Sequence, residues 1–131
     1  TVWAPPEQTA AFRIVLGAVA RCGKADVPLP PGPPFFQYSD PATCKRELES
    51  VGLTDVRVTT VPQGWRFGTA TELFQAMLAG TVRTAALLKA QTPEALADIG
   101  EAIRKDVEGF AAGGGYELPM PAVLSTARKP G

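Results

Sequence analysis

A chain of 131 residues has room for one domain with a modest core, and 45% hydrophobic against 20% charged residues is ordinary for a globular protein. Thirteen basic residues are balanced by thirteen acidic ones, and histidine is absent. Neutrality argues against a nucleic-acid footprint, which needs a basic patch to displace counterions. The lack of histidine excludes Ser-His-Asp and Cys-His nucleophile systems and the commonest metal-ligand sets from within this chain.

In chain order, Thr1-Val2-Trp3-Ala4-Pro5-Pro6 reads as the last residues of a buried strand closed by two prolines. A helix from Glu7 to Arg21 follows, with Phe12, Val15, Leu16 and Val19 on one face. Gly23 stops it. The stretch from Val27 to Phe36, rich in proline, is neither helix nor central strand. Ser39-Asp40-Pro41 opens a second helix, whose apolar stripe is Cys44, Leu48 and Val51. Leu53 to Val61 is the clearest strand, with Val56 and Val58 on one side and Asp55, Arg57 and Thr59 on the other.

Trp65-Arg66-Phe67 resumes an extended path. Thr69 and Glu72 then form a capping box for a helix presenting Leu73, Phe74, Met77 and Leu78. A short helix over Thr81 to Ala90 comes next. Thr92-Pro93-Glu94 begins the longest helix, on which Leu96, Ile99, Ile103, Val107 and Phe110 make one stripe. Gly113-Gly114-Gly115 is expected to terminate it. Tyr116 to Arg128 reads as extended, with Ala122-Val123-Leu124 at the centre of a last strand. One or two full strands do not make a stable sheet, so the sheet is expected to be incomplete. Cys22 and Cys44 are expected to be free thiols. No apolar run reaches the roughly 20 residues that cross a bilayer, and no signal-peptide pattern is present, so the expectation is a cytoplasmic chain with no membrane span.

The order of elements, together with Leu48-Glu49-Ser50-Val51-Gly52-Leu53-Thr54-Asp55-Val56, resembles the C-terminal half of class I S-adenosylmethionine-dependent methyltransferases. The branch it resembles is the type 11, quinone-methyltransferase-like one. In that family a helix leads into a glycine-aromatic segment that starts the sixth strand, and Gly52-Leu53-Thr54-Asp55-Val56 matches it with Leu53 in the usual Phe place. The resemblance implies that Thr1-Val2-Trp3 ends the fifth strand and that Ala122 to Lys129 is the seventh, antiparallel to its neighbours. Gly64-Trp65-Arg66-Phe67 through Glu117-Leu118-Pro119-Met120-Pro121 resembles the helical insertion of that branch. The fold class expected is therefore an α+β or α/β fragment. It is one partial domain over residues 1–131, the C-terminal part of a Rossmann-like methyltransferase, comprising the end of strand 5 and strands 6 and 7.

By the same resemblance the cofactor, S-adenosylmethionine, is held by the N-terminal half, and none is expected on this chain. Gly113-Gly114-Gly115 follows a helix rather than a strand and so lacks the context of a cofactor loop. No catalytic, cofactor-binding or metal residue is assigned. The acceptor-pocket candidates are Trp3, Phe36, Tyr38, Trp65, Arg83, Tyr116 and Met120. Trp3 falls on the ligand-binding edge of the sheet, or packs under the following helix. Phe36 and Tyr38 end a loop that is a lid or a plain connector before it is a PxxP ligand. Trp65 and Phe67, with Phe74 and Met77, read as core before pocket. Arg83 meets an anionic acceptor group or is simply solvated. Tyr116 orients an acceptor or is a hydrogen-bonded structural tyrosine, and Met120 lies in a stiff entry to the last strand. The function implied is the acceptor-binding and lid portion of a methyltransferase for a small, apolar or aromatic acceptor, inactive alone. A homodimer covering the open face is expected. The alternatives are a stand-alone helical binding module for an apolar ligand, or a protein-interaction domain.

Overall fold

A turn at Pro5 sets where the first helix begins. The computed structural model describes residues 1–131, with a two-residue strand β1 (Val2–Trp3) followed by helix α1 (Ala10–Cys22). The helix starts at Ala10 rather than Glu7, because Pro5 organises a turn first. Its carbonyl accepts from the backbone N–H of Gln8 (2.9 Å) and Thr9 (3.1 Å), and the Thr9 hydroxyl donates back to it (3.1 Å). Ala10, Ala11, Phe12, Ile14, Val15, Ala18 and Val19 are all buried, so α1 is covered on most of its circumference. Gly23 closes it with an N–H to the Val19 carbonyl (2.9 Å).

A proline-rich strap leads to a 3-10 turn (Gln37–Ser39) and then to α2 (Pro41–Ser50). The Asp40 carboxylate caps α2, accepting from the Thr43 N–H at 2.8 Å, and hydrogen bonding to the Thr43 side chain, then to its backbone, holds the Asp40 pKa below the ordinary value. Strand β2 (Thr54–Val61) and strand β3 (Gly64–Phe67) precede helices α3 (Ala70–Gly80), α4 (Arg83–Lys89) and α5 (Pro93–Val107). The Thr69–Glu72 capping box forms, in a shifted version. Thr69 Oγ1 accepts from the Glu72 N–H (3.2 Å), while the Glu72 carboxylate reaches one residue further back, to the Gly68 N–H (2.9 Å).

The glycine triplet does not stop α5. That helix ends at Val107, passes through a 3-10 turn (Glu108–Phe110) and enters β4 (Ala111–Ala112), which turns back into β5 (Gly115–Pro119). Gly113 and Gly114 both have positive φ (57° and 85°), the backbone that a two-residue hairpin turn demands and glycine supplies without a steric penalty. The extended run after Tyr116 is likewise two strands, β5 and β6 (Ala122–Arg128), belonging to different sheets. The chain changes sheet at Met120-Pro121, where the Met120 N–H donates to the Gln63 carbonyl (2.8 Å) and the Ala4 N–H to the Pro121 carbonyl (3.0 Å).

The protein is thus mixed α and β, with five helices and two small antiparallel sheets. Sheet A has the order β1-β6-β2, and β6 runs antiparallel to both neighbours, with Val2 opposite Val123 and Val61 opposite Ala122. It follows that β1 and β2 are parallel to each other. Sheet B has the order β3-β5-β4, with Trp65 opposite Leu118 and Phe67 opposite Tyr116. A core of 16 buried residues is drawn from α1, α3, α4, α5, β5 and Met120. Sheet A stands beside this core. Helix α2 covers one of its faces, with Cys44 Sγ 3.0 Å from Ser125 Oγ. Both cysteines are free. Val56 and Val58 are only half-buried, Val61 is 40% exposed and Val51, assigned from sequence to the stripe of α2, is 73% exposed. Near the start of β2 the pairing shifts between Thr54 and Arg57, and Asp55 takes a positive φ of 52°, a local bulge in a strand that the alternation pattern presents as regular.

Gln91 ties the strap to the helical body. Its Oε1 accepts from the Lys24 N–H (2.7 Å), and its Nε2 donates to the carbonyls of Lys24 (2.8 Å) and Leu87 (2.9 Å). Gln91→Ala strands these backbone groups and is expected to destabilise the chain by about 2 kcal/mol. Chemical denaturation checks this, and the Lys24 amide should gain hydrogen exchange before the amides of α1 do.

Candidate functional site

The strands of the two sheets bring two distant tryptophans together. Trp3 lies on the face of sheet A opposite α2, and Trp65 lies on the core-facing side of sheet B. Their rings meet edge to face, 5.3 Å between centroids at 85°. The contact continues in both directions. Trp65 touches Phe67 at 6.0 Å, Trp3 touches Phe12 at 6.1 Å, and Phe12 meets Phe36 at 5.7 Å and Phe35 at 5.1 Å. Tilted and edge-to-face pairs at these separations are the favourable arrangements of aromatic quadrupoles. Six rings from β1, α1, β3 and the end of the strap form one continuous run.

A groove of about 510 Å³ opens along this run, walled by Trp3, Phe12, Trp65 and Phe67 and bordered by Gly64, Ala76, Gly80 and Thr81. Arg66 lies at its rim, tied across sheet B to Glu117 by Nε–Oε2 at 3.2 Å. Both partners are exposed, so this pair orients the guanidinium more than it stabilises the fold. The groove is concave, mostly apolar and sparsely polar, the character of a small-molecule site.

The other residues proposed from sequence are spread over the molecule. Phe36 joins the run of rings through Phe12 and packs on Phe35 at 4.8 Å. Tyr38, 42% exposed, lines a different cavity of about 450 Å³ between α2 and sheet A, with Val2, Cys44, Leu48 and Val51. Arg83 pins the strap, its Nη1 donating to the Pro30 carbonyl at 3.0 Å. Tyr116 is opposite Phe67, but its hydroxyl donates to Glu108 Oε1 (3.1 Å). That bond to Glu108, with some burial, raises its pKa, so it stays a neutral donor. Met120 is fully buried, and its sulfur accepts from the Ala11 N–H at 3.4 Å. Of the seven, Trp3 and Trp65 share one wall.

Phe12 and Phe67 are the wall residues that the sequence hides. Phe12 sits on the stripe of an amphipathic helix and Phe67 on a short alternating strand, and such positions ordinarily face a core. Both do touch the core here, and both also edge the groove. No three metal-ligating side chains come together, and no helix is long and apolar enough to cross a membrane.

Behind Tyr116 the charged face of α5 carries the largest electrostatic shift in the molecule. Arg104 donates to both Glu101 oxygens (2.8 and 2.7 Å), and this bond draws the Glu101 carboxyl from its ordinary 4.5 to about 2. A carboxyl depressed by folding contributes stability above its ordinary pKa and loses it as pH falls through the folded value. Glu101 should therefore titrate by NMR at about pH 2, its stabilisation being lost between pH 4.5 and 2, and Arg104→Gln should return it toward the ordinary value. Compared with known proteins, the chain matches no protein-family model and no curated protein.

Proposed function

We propose that this chain is the acceptor-binding and lid portion of an S-adenosylmethionine-dependent methyltransferase acting on a small, apolar or aromatic acceptor. The observation that carries the reading is the arrangement of sheet A. Two parallel strands, β1 and β2, are joined through α1 and α2, and the last strand, β6, runs antiparallel beside both. That is the relation the resemblance implies for a fifth, sixth and seventh strand, the last antiparallel to its neighbours. The finer fold assignment, a C-terminal part of a Rossmann-like fold with a helical insertion between the last two strands, belongs to the same proposal. Residues Gly64 to Pro121 supply that insertion.

On this reading the aromatic groove at the exit of β1 is the acceptor wall, because ligands of open α/β sheets sit outside the carboxyl ends of the strands. Methyl transfer needs an acceptor held in line with the sulfonium carbon in a dry pocket, and positioning with water exclusion supplies most of the gain. Rings that exclude water and fix a flat acceptor suit that task without a catalytic base. The strap, tied at Gln91 and Arg83 and carrying Phe35 at the end of the ring run, acts as the lid. The cofactor is held by a segment outside this chain. The open edges of sheet A are where a second copy would pair, and a compact monomer by light scattering at high micromolar concentration counts against a homodimer.

The test is a pair of calorimetric titrations with S-adenosylmethionine. The 131-residue chain should bind none at low micromolar affinity, whereas the same chain extended by the residues encoded before it should bind. Tight binding to the 131-residue chain overturns the assignment of segments. Failure of the extended chain to bind, with the groove still taking an aromatic ligand, favours a stand-alone binding module, a reading to which the self-contained helical core lends some weight.

A further inference from the structure

The proline-rich strap turns one side to the protein and two sides to solvent. Over residues 27–33 its backbone makes no hydrogen bond with other backbone, and these residues belong to no helix or strand. Proline fixes φ at about −65°, and such a run settles into the polyproline II helix, with about three residues per turn and no internal hydrogen bonds. The contacts of the strap follow that period. Leu29 packs against the core. A Cβ on Gly32 would stand 3.1 Å from Arg83 Nη1, and the Phe35 ring lies 5.1 Å from that of Phe12. Leu29, Gly32 and Phe35 therefore form one ridge, and it faces the body of the protein. Pro28, Pro31 and Pro34 fall on a second ridge, and Pro30 and Pro33 follow Val27 on a third. All five prolines are exposed. Pro30 gives its carbonyl to Arg83 Nη1 (3.0 Å), whereas the carbonyls of Pro28, Pro31 and Pro33 accept from no group of the protein.

We propose that the two outward proline ridges of the strap are the docking surface for a protein domain that reads polyproline II ligands through an aromatic-lined groove. The chemistry of the two surfaces is complementary. Such a groove supplies flat rings for the proline rings to pack on, and its tyrosine hydroxyls and indole N–H groups are donors for the unused strap carbonyls. A polyproline helix has few conformations to lose on binding. Here the inner ridge is anchored as well, so the strap is ordered before the partner arrives. A groove reaches no more than two ridges of a three-sided helix, and two are free. The proposal goes beyond the acceptor reading and does not depend on it. A lid held by its inner ridge remains readable on its outer two.

The probes are WW, SH3 and EVH1 domains, titrated first into a free peptide of residues 27–36. A domain that binds the peptide is then titrated into the whole nitrogen-15-labelled chain. The folded chain should bind at least as tightly as the peptide. Pro31→Ala, on an outward ridge, should weaken binding about tenfold and leave the thermal midpoint of the chain unchanged. The Gln91 side-chain amide, which holds Lys24 and Leu87, should keep its signals in the complex, because the strap stays seated. Binding to the peptide but not to the folded chain overturns the proposal, since the ridges are then not presented. Binding that Pro31→Ala leaves intact overturns it too, by placing the contact elsewhere, as does loss of the Gln91 signals, by showing that the domain strips the strap away. If no domain binds the peptide, the prolines are not read and the proposal fails. None of these results touches the cofactor titration.

Discussion

Phe12→Ala lowers the stability of this chain by about 3–5 kcal/mol. Phe12 is 1% exposed, and three other rings, Trp3, Phe35 and Phe36, stand within 6.1 Å of it. Those neighbours come from β1 and from the end of the strap, so the cavity left by truncation has no single element that can slide in to fill it. Interiors packed as densely as organic crystals register such a void in full. The loss is read from denaturant unfolding followed by tryptophan fluorescence, because Trp3 touches the substituted ring directly. A cost below about 1 kcal/mol, less than burial of the ring alone supplies, would mean that the ring run is loosely packed and no fixed wall.

The second large effect is expected at Gly115. A Cβ there falls well inside van der Waals contact with the carbonyl oxygen of Phe67, and 3.3 Å from the Cα of Gly68. Both obstacles are backbone, so relief requires β3 and β5 to part where Phe67 pairs with Tyr116. Gly115→Ala should cost about 2–3 kcal/mol and shift the Phe67 end of the groove. Gly100, inside α5, is the control. Nothing lies within 4 Å of its added Cβ, and Gly100→Ala should stabilise the chain by about 0.5–1 kcal/mol. Thermal unfolding of the two variants separates a steric requirement for glycine from mere tolerance of it. Equal effects at the two positions would contradict the close approach of β5 to β3.

Local chemistry was legible in the sequence wherever a short-range signal acts alone. Asp40, Thr69 and Thr92 cap the helices they were read to cap, and Ile99, Ile103 and Val107 are buried as the stripe of α5 requires. Pairing between remote segments was not legible. Trp65-Arg66-Phe67 and Tyr116-Glu117-Leu118 lie far apart in the chain, and nothing in either short strand names the other as its partner. The glycine triplet misled for a related reason. Glycine serves equally as a helix stop and as the positive-φ corner of a hairpin, and only the pairing of Ala112 with Gly115 decides between them. The site followed the same division. Trp3 is marked by its place at the ligand-binding edge of a strand, whereas Trp65 and Phe67 read as core before pocket and Phe12 as a helix stripe, with no sequence mark that separates a groove wall from a core.

The central claim is that the aromatic wall serves the acceptor and leaves the methyl donor to a segment outside this chain. Trp65→Ala, made in the chain extended by its preceding residues, tests it most directly when donor and acceptor affinities are measured on the same preparation. The account predicts that affinity for S-adenosylmethionine stays unchanged while affinity for an aromatic acceptor falls by about tenfold or more, the loss of a large buried contact. Loss of donor affinity with acceptor binding intact would contradict it.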